Sequence, residues 1–292
     1  MIRARSSRLQ LYPSPTTGSI QCFVADLDDI YISAWAFRHD LSTFQIFTVT
    51  VIAIEDSLTF IFSSPTRMAP KTTFSTSIQP PPGPNAKLVL PSQDTSNNTN
   101  PTIFNDAMII RKSVFIDEQH CAADSEIDSD DARSWHWVLY DNSAASSTPV
   151  GVIRLVPPPQ APHAHLTEAP AAVVAREVPE YDWTHEPCIK LTRVAIMPSF
   201  RGLGLGRRLV ETALGWAAMH AAEIDEAAVQ IAATGGSPVT PTPWRGLVLV
   251  HAQVDVEGMY AGLGFATDQS LGRWDEEGIE HVGMFRRVVL DK

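Results

Sequence analysis

From residue 101 onward, apolar residues alternate between helical and strand-like spacing. Residues 102–118 and 204–224 each place apolar side chains on one face of a helix, so both predict amphipathic helices. A short helix is expected near residues 255–262. Shorter apolar runs predict strands at residues 87–90, 135–140, 150–156, 189–196, 247–252 and 281–289. This alternation predicts one compact α/β domain.

The stretch before this pattern differs in composition. Residues 1–67 contain no lysine, and residues 68–100 are rich in proline and polar side chains. We expect residues 1–85 to be a disordered or extraneous extension, with Met68 as the hypothetical true start; a poorly ordered native extension is the alternative. The folded domain is then predicted to span residues 86–292, with surface insertions near 157–187 and 233–244.

Overall composition narrows the class of protein. Hydrophobic residues make up 44% of the chain and charged residues 19%, as in ordinary globular proteins. The net charge of −11 argues against binding to nucleic acid, which needs a basic face. Three cysteines without paired spacing fit a reducing compartment, and we expect no metal site.

The same composition bears on location and assembly. Arg3, Arg5 and Arg8 precede any acidic residue, which loosely resembles a mitochondrial presequence, but Pro13 and Pro15 interrupt a helix there. A cytoplasmic location is therefore expected. No apolar run is long enough to cross a bilayer, so we expect no membrane partner. The sequence leaves a homodimer open.

A glycine-rich turn joins the strand at 189–196 to the helix at 204–224. It reads R-G-L-G-L-G over residues 201–206. Its glycines allow backbone conformations closed to other residues, and the N–H groups at a helix N-terminus attract anions. Arg201, Arg207 and Arg208 add positive charge. The turn therefore predicts a pyrophosphate site, although a packing role for the glycines is the simpler alternative. Its spacing is neither that of a Rossmann fingerprint nor that of a P-loop.

Several motifs, in this order along the chain, resemble the GNAT superfamily of N-acetyltransferases. The turn resembles the R/Q-x-x-G-x-G/A acetyl-CoA motif, and residues 193–198 resemble the fourth strand that precedes it. Residues 259–265 (M-Y-A-G-L-G-F) are similar to the F-Y-x-x-x-G-F signature, with Met259 replacing an aromatic residue. Residues 111–119 resemble the R-x-x-V-F-x-x-E-Q helix of the ElaA/YjcF-like subgroup, which sits near glucosamine-6-phosphate acetyltransferases. Residues 277–284 resemble the closing strand of that subgroup.

The resemblance covers roughly residues 86–290, and the two long loops resemble expansions of fungal members. It implies an α/β (α+β) GNAT fold: a mixed, mostly antiparallel twisted sheet with helices on both faces and a cofactor cleft between the fourth and fifth strands. It also implies an acyltransferase that moves the acetyl group of acetyl-CoA, as a co-substrate, to a primary amine of a small molecule. The amine would attack directly in a ternary complex.

Site residues follow from the same resemblance. The backbone of the fourth strand would bind the pantetheine arm, and N–H groups from Leu203 through Arg208 would bind the pyrophosphate. The predicted cofactor-binding residues are Val194, Ala195, Ile196, Arg201, Gly202, Leu203, Gly204, Leu205, Gly206 and Arg207. Tyr260 would protonate the departing thiolate; a packed aromatic residue is the alternative.

The base that takes the proton of the amine is less determined. Glu118 is the first candidate and His136 the second, with Asp117 as a neighbour and a water chain as a further option. Arg154 and Arg193 would meet either an anionic substrate group or nearby acids. His163 and His165 are interpreted as surface histidines. His251 and Gln253 end the central strand, where they would line the cleft.

Four other functions compete with this one. Protein or peptide N-acetylation is one of them, although no peptide groove can be recognised in the sequence. The acceptor could be glucosamine-6-phosphate specifically, which needs a basic pocket for its phosphate. The domain could be a catalytically inert CoA-binding module, against which Tyr260 and the intact glycine turn argue. A nicotinamide-dependent dehydrogenase is disfavoured by the glycine spacing.

Overall fold

The computed structural model describes residues 73–91, 98–144, 146–163, 181–234 and 240–291, together with isolated strands between residues 11 and 62. The chain divides into two units, Met1–Lys71 and Thr72–Lys292. In the first unit the described segments are antiparallel pairs: Leu11–Pro13 with Ile20–Cys22, Arg38–Asp40 with Thr43–Phe44, and Val49–Ile54 with Ser57–Phe62.

The second unit is built around an eight-stranded sheet. Its strands are β1 (Phe74–Gln79), β2 (Trp135–Asp141), β3 (Thr148–Val156), β4 (Ile189–Ile196), β5 (Leu247–Gln253), β6 (Ala266–Thr267), β7 (Arg273–Glu276) and β8 (Ile279–Arg287). The spatial order is β6-β8-β5-β4-β3-β2-β1, and β7 also pairs with β8. Only β4 and β5 run parallel; the other described pairs of this sheet are antiparallel.

Helices cover both faces of this sheet. Helix α1 (Thr102–Arg111) continues into a π-helical segment, Lys112–Glu118, and packs apolar side chains on β2 and β3. Helices α2 (Leu205–Met219) and α3 (Ala221–Thr234) lie on the opposite face, with the short helix α4 (Glu257–Ala261). The predicted fold class is therefore confirmed. No helix of the described residues has the length and apolar character that a membrane crossing requires.

The start of the domain differs from the prediction. Residues 87–90, expected to be a strand, have no regular structure, whereas Phe74–Gln79 pairs along its length with β2. The compact unit begins at Thr72, so the predicted boundary at residue 86 falls too late. This strand is half polar and lies at the edge of the sheet, where its pairing with β2, rather than its own apolar pattern, defines it.

The helix predicted over residues 204–224 is two helices. His220 leaves the helical conformation, and its ring stacks on Trp216 with centroids 4.4 Å apart while Nδ1 contacts the Trp216 carbonyl at 2.7 Å. The strands β6 and β7 were also missed, because both are short. The predicted insertions contain residues 164–180 and 235–239, which lie outside the described residues.

Candidate active site

The strands β4 and β5 separate in the middle of the sheet. They pair only from Ile189 to Leu191 on β4, opposite Val248 to Val250 on β5. Immediately beyond, β4 bulges away from its register with β3, and Arg193 has a positive φ of 51°. Because both strands run in the same direction, their C-terminal halves form the two sides of one split. Val194, Ala195 and Ile196, which were predicted to bind the pantetheine arm, lie on the β4 side.

The glycine turn follows directly from the β4 side of this split. Gly202 and Gly204 have φ values of 78° and 73°, which favour glycine, and α2 begins after Gly204. The N–H of Arg208 donates to the Gly204 carbonyl at 3.1 Å, so the predicted anion site ends one residue earlier than expected. The six N–H groups of residues 202–207 have no acceptor among the described residues. They lie at the positive end of α2, where backbone N–H groups and the helix dipole favour an anion.

The left-handed conformation of Gly204 leads to a stability prediction. Gly204→Ala is expected to lower the free energy of unfolding by roughly 1–2 kcal/mol, because only the backbone is strained; its added Cβ would meet nothing within 4 Å. Gly215→Ala, in open space on the same helix, is the matched control. It should raise stability by roughly 0.5–1 kcal/mol. Urea unfolding of both variants tests this, and shifts of the same sign would contradict it.

Two residues predicted for different roles are bonded to each other. The Arg201 guanidinium donates to both carboxylate oxygens of Glu118, at 2.7 and 2.6 Å, and its Nε donates to the Ile196 carbonyl at 3.0 Å. The hydrogen bond from Arg201 lowers the pKa of Glu118. Glu118 is therefore a weak base in this arrangement, and the charge of Arg201 is already neutralised.

The other two arginines of the turn are held by backbone carbonyls. Arg207 donates to Gly262 at 3.0 Å, which links the turn to the end of α4. Arg208 donates to Phe74 at 3.1 Å. Both guanidinium groups stay exposed beside the N–H groups of residues 202–207, and Arg207 also lies 3.5 Å from a carboxylate oxygen of Glu211, which offsets part of its charge.

Tyr260 lies on α4, on the α2 face of the sheet. It is 4% exposed, and its ring meets Phe265 edge-on at 5.6 Å. It belongs to the apolar cluster that also contains Val250 and Ala252 of β5. Burial raises the pKa of its hydroxyl, so the phenol stays protonated at neutral pH. This protonation state is the one that a proton donor needs.

Arg154 and Arg193 both form ion pairs with nearby carboxylates. The Arg154 guanidinium donates to both carboxylate oxygens of Asp128, at 2.7 and 2.8 Å, and lies 3.0 Å from Asp131. Arg193 contacts Asp128 at 3.3 Å and Glu126 at 3.2 Å. Of the two predicted roles, the ion pair with nearby acids is the one observed.

Arg111 completes this buried network from α1. It is fully buried, and it contacts Glu126 at 2.5 Å and Asp131 at 2.6 Å. Burial alone would raise the pKa of Asp131, but the charges of Arg154 and Arg111 outweigh it and hold that pKa far below its ordinary value. Asp131 therefore stays ionised, and the network holds the acid-rich loop after α1 against β3 and β4.

His136 is not positioned as a base. It is fully buried against the edge of Phe104, and its Nε2 lies 3.2 Å from the Asp131 carbonyl. Burial lowers its pKa to about 3. With no exposed surface it cannot reach an acceptor, so the second predicted candidate for the base is wrong.

Three histidines that the sequence did not group together lie near one another beside the split. His251 of β5 packs edge-on against Trp274 at 4.9 Å, and His163 packs on the same indole at 4.8 Å. His163 is thus a packed residue rather than the expected surface histidine; His165 lies outside the described residues. Glu276 lies between His251 and His281, at 3.4 and 3.9 Å.

Comparison with known proteins agrees with this geometry. Residues 104–233 match the model of the Acetyltransferase (GNAT) family. This part of the chain is therefore similar to a GNAT acetyltransferase domain.

Solved structures similar to the chain carry related names. A putative N-acetyltransferase from Lactobacillus plantarum is 19% identical, with a TM-score of 0.43, over 74% of this chain and 99% of that one. Escherichia coli ElaA is 18% identical, with a TM-score of 0.42, over 74% and 100%. Arabidopsis thaliana NAA60 in complex with acetyl-CoA is 11% identical, with a TM-score of 0.39, over 73% and 99%.

Proposed function

We propose that the protein transfers the acetyl group of acetyl-CoA to a primary amine of a small molecule, by direct attack in a ternary complex. The observation that carries this proposal is the run of six free N–H groups at residues 202–207, directly beside the split between β4 and β5. In an acyl-CoA molecule the pantetheine arm joins the thioester to the pyrophosphate, so a pyrophosphate on the turn would place the thioester in the split.

The residues of the turn fit this co-substrate. A diphosphate accepts several N–H donors at once, and Arg207 and Arg208 lie exposed next to them. A Cβ on Gly206 would point toward the Met259 sulfur at 3.5 Å and toward Ile196 at 4.0 Å. A larger side chain at Gly206 would project between the turn and residues 194–196, along which the pantetheine arm would pass.

The surroundings of the split favour a small acceptor. The side chains of His251 and His281 are each about one-tenth exposed, which leaves little room for a large acceptor beside them. Arg154 and Arg193 are already paired with carboxylates, which leaves neither of them for a phosphate group. This pairing disfavours glucosamine-6-phosphate as the acceptor.

Calorimetric titration with acetyl-CoA tests the binding half of the proposal. Gly206→Leu should weaken binding by more than about tenfold, or about 1.4 kcal/mol, because its side chain would fill the path of the pantetheine arm. Gly215→Leu is the matched control, since it puts the same side chain in open space on α2. Equal affinity of the two variants would contradict the assignment of the turn.

An inert CoA-binding module makes a different prediction. We expect free thiol to appear when the wild-type protein, acetyl-CoA and a panel of primary amines are mixed, at a rate that depends on the amine. Binding of acetyl-CoA without thiol release on any amine would favour the inert module instead.

A further inference from the structure

His251 lies where β5 leaves β4. Val250 is the last paired residue of β5, and His251 is the next one. Its neighbours Val250 and Ala252 point into the cluster that holds Tyr260 and α2. Because side chains alternate along a strand, His251 points to the opposite face. Tyr260 and His251 thus lie on opposite faces of the sheet, and both lie beside β5.

The imidazole of His251 is oriented by a carboxylate. Its Nδ1 lies 3.4 Å from Oε1 of Glu276, which also accepts a 2.8 Å hydrogen bond from the Trp274 indole. The geometry of the ring then directs Nε2 away from Glu276. This contact is longer than an ordinary N–H···O hydrogen bond.

The pKa shifts of this pair leave His251 neutral before the reaction, and the carboxylate of Glu276 would stabilise the imidazolium that forms when His251 takes a proton. Although burial opposes it, bonding and charge from His251, with help from Trp274, lower the pKa of Glu276 to about 2. Burial and the charge of Lys190 lower the pKa of His251 to about 3. At neutral pH a carboxylate therefore faces a neutral imidazole. The groups around it are Lys190 from β4, Glu276 and Trp274 from β7, His281 from β8, and His163 after β3.

Other candidates for the base are engaged elsewhere. Glu118 is bound by Arg201, and His136 is fully buried. Four carboxylates of the loop after α1 are each bound by at least one arginine; they are Glu126, Asp128, Asp130 and Asp131.

We propose that His251, positioned by Glu276, is the general base that takes the proton from the attacking amine. This assignment rests on the proposed function and names a residue for one step of it. A histidine oriented by a carboxylate through Nδ1, with Nε2 left to accept a proton, is a recurrent arrangement for this task.

The reaction balances with the groups present. The amine nitrogen forms a bond to the thioester carbon, and its proton passes to Nε2 of His251. The carbon–sulfur bond then breaks, and the Tyr260 hydroxyl gives its proton to the departing thiolate. The products are the N-acetylated amine and free CoA thiol. Exchange with water afterwards removes the proton from His251 and restores that of Tyr260.

His251→Ala tests this role. We expect kcat to fall by about 10²- to 10⁴-fold, with acetyl-CoA affinity unchanged, and added imidazole to restore part of the rate. A merely structural role would not respond to imidazole. His220→Ala, at the end of α2, is the control and should keep wild-type kcat. An unchanged kcat in His251→Ala, or a loss that imidazole does not relieve, would overturn the assignment.

A second measurement does not depend on turnover. Nitrogen NMR of the histidine side chains should show His251 neutral at pH 7 with its proton on Nδ1, facing Glu276. Glu276→Gln should weaken this preference and lower kcat. A proton on Nε2 in the wild-type protein would overturn the assignment. Absence of thiol release by the wild-type protein would contradict only the proposed function, and the tautomer would still decide the role of the pair.

Discussion

Tyr260→Phe is expected to lower kcat by about 10²- to 10⁴-fold while acetyl-CoA affinity is retained. The change removes one hydroxyl from a ring that is otherwise packed among apolar neighbours. Without that proton, the thiolate must leave as an anion within a buried region, where an uncompensated charge is costly. Steady-state kinetics and calorimetric binding of acetyl-CoA measure the two halves of this expectation.

Tyr140→Phe is the matched control for this variant. The Tyr140 hydroxyl donates to Asp106 at 2.7 Å, on the face of the sheet covered by α1. Its loss should cost about 1 kcal/mol of stability and leave kcat unchanged. If Tyr260→Phe kept wild-type kcat across the pH range, Tyr260 would not be the acid.

Arg111→Met is expected to destabilise the domain by about 3–5 kcal/mol. The guanidinium is fully buried and contacts carboxylates of Glu126 and Asp131 that are themselves almost fully buried. Methionine preserves much of the volume but leaves these charges with fewer partners. The midpoint and slope of urea unfolding give the change in the free energy of unfolding.

Arg273→Met is the control for this change. Arg273 pairs with Glu280 at 2.9 Å, but both side chains are more than half exposed, so the loss should stay below about 1 kcal/mol. Equal destabilisation by Arg111→Met and Arg273→Met would contradict the role given to the buried network.

The same network sets how the domain responds to acid. The folded pKa of Asp131 lies below its ordinary value of 3.8. Its stabilising contribution is therefore complete above that value and is lost as the pH falls toward the folded pKa. Arg111→Met raises the folded pKa of Asp131, so the midpoint of acid unfolding, followed by circular dichroism, should move to higher pH. An unchanged midpoint would contradict this.

Local patterns in the sequence were enough to predict the fold and the glycine turn. The apolar spacing of β4 and α2, and the glycines between them, specify a strand–turn–helix unit within about twenty residues. Gly202 and Gly204 do adopt the left-handed conformations that the turn was expected to need. The fold of the domain could be predicted because the motifs occur along the chain in the order that the resembled family has.

Contacts between distant residues could not be read in the same way. Glu118 and Arg201 are far apart in the sequence, and nothing in either local motif shows that one neutralises the other. The pairing of β5 with β8 and of β8 with β7 brings His251 close to Glu276. The clue available beforehand was that polar residues end an otherwise apolar central strand, at His251 and Gln253.

The central claim is acetyl transfer from acetyl-CoA to an amine, and the mass of the amine tests it most directly. The wild-type protein is incubated with acetyl-CoA and a panel of small primary amines. The products are then separated, and their masses are measured by mass spectrometry. We predict that at least one amine gains one acetyl group for each CoA thiol released. The claim would be contradicted if thiol were released while every amine stayed unmodified and the acetyl group of acetyl-CoA appeared as free acetate.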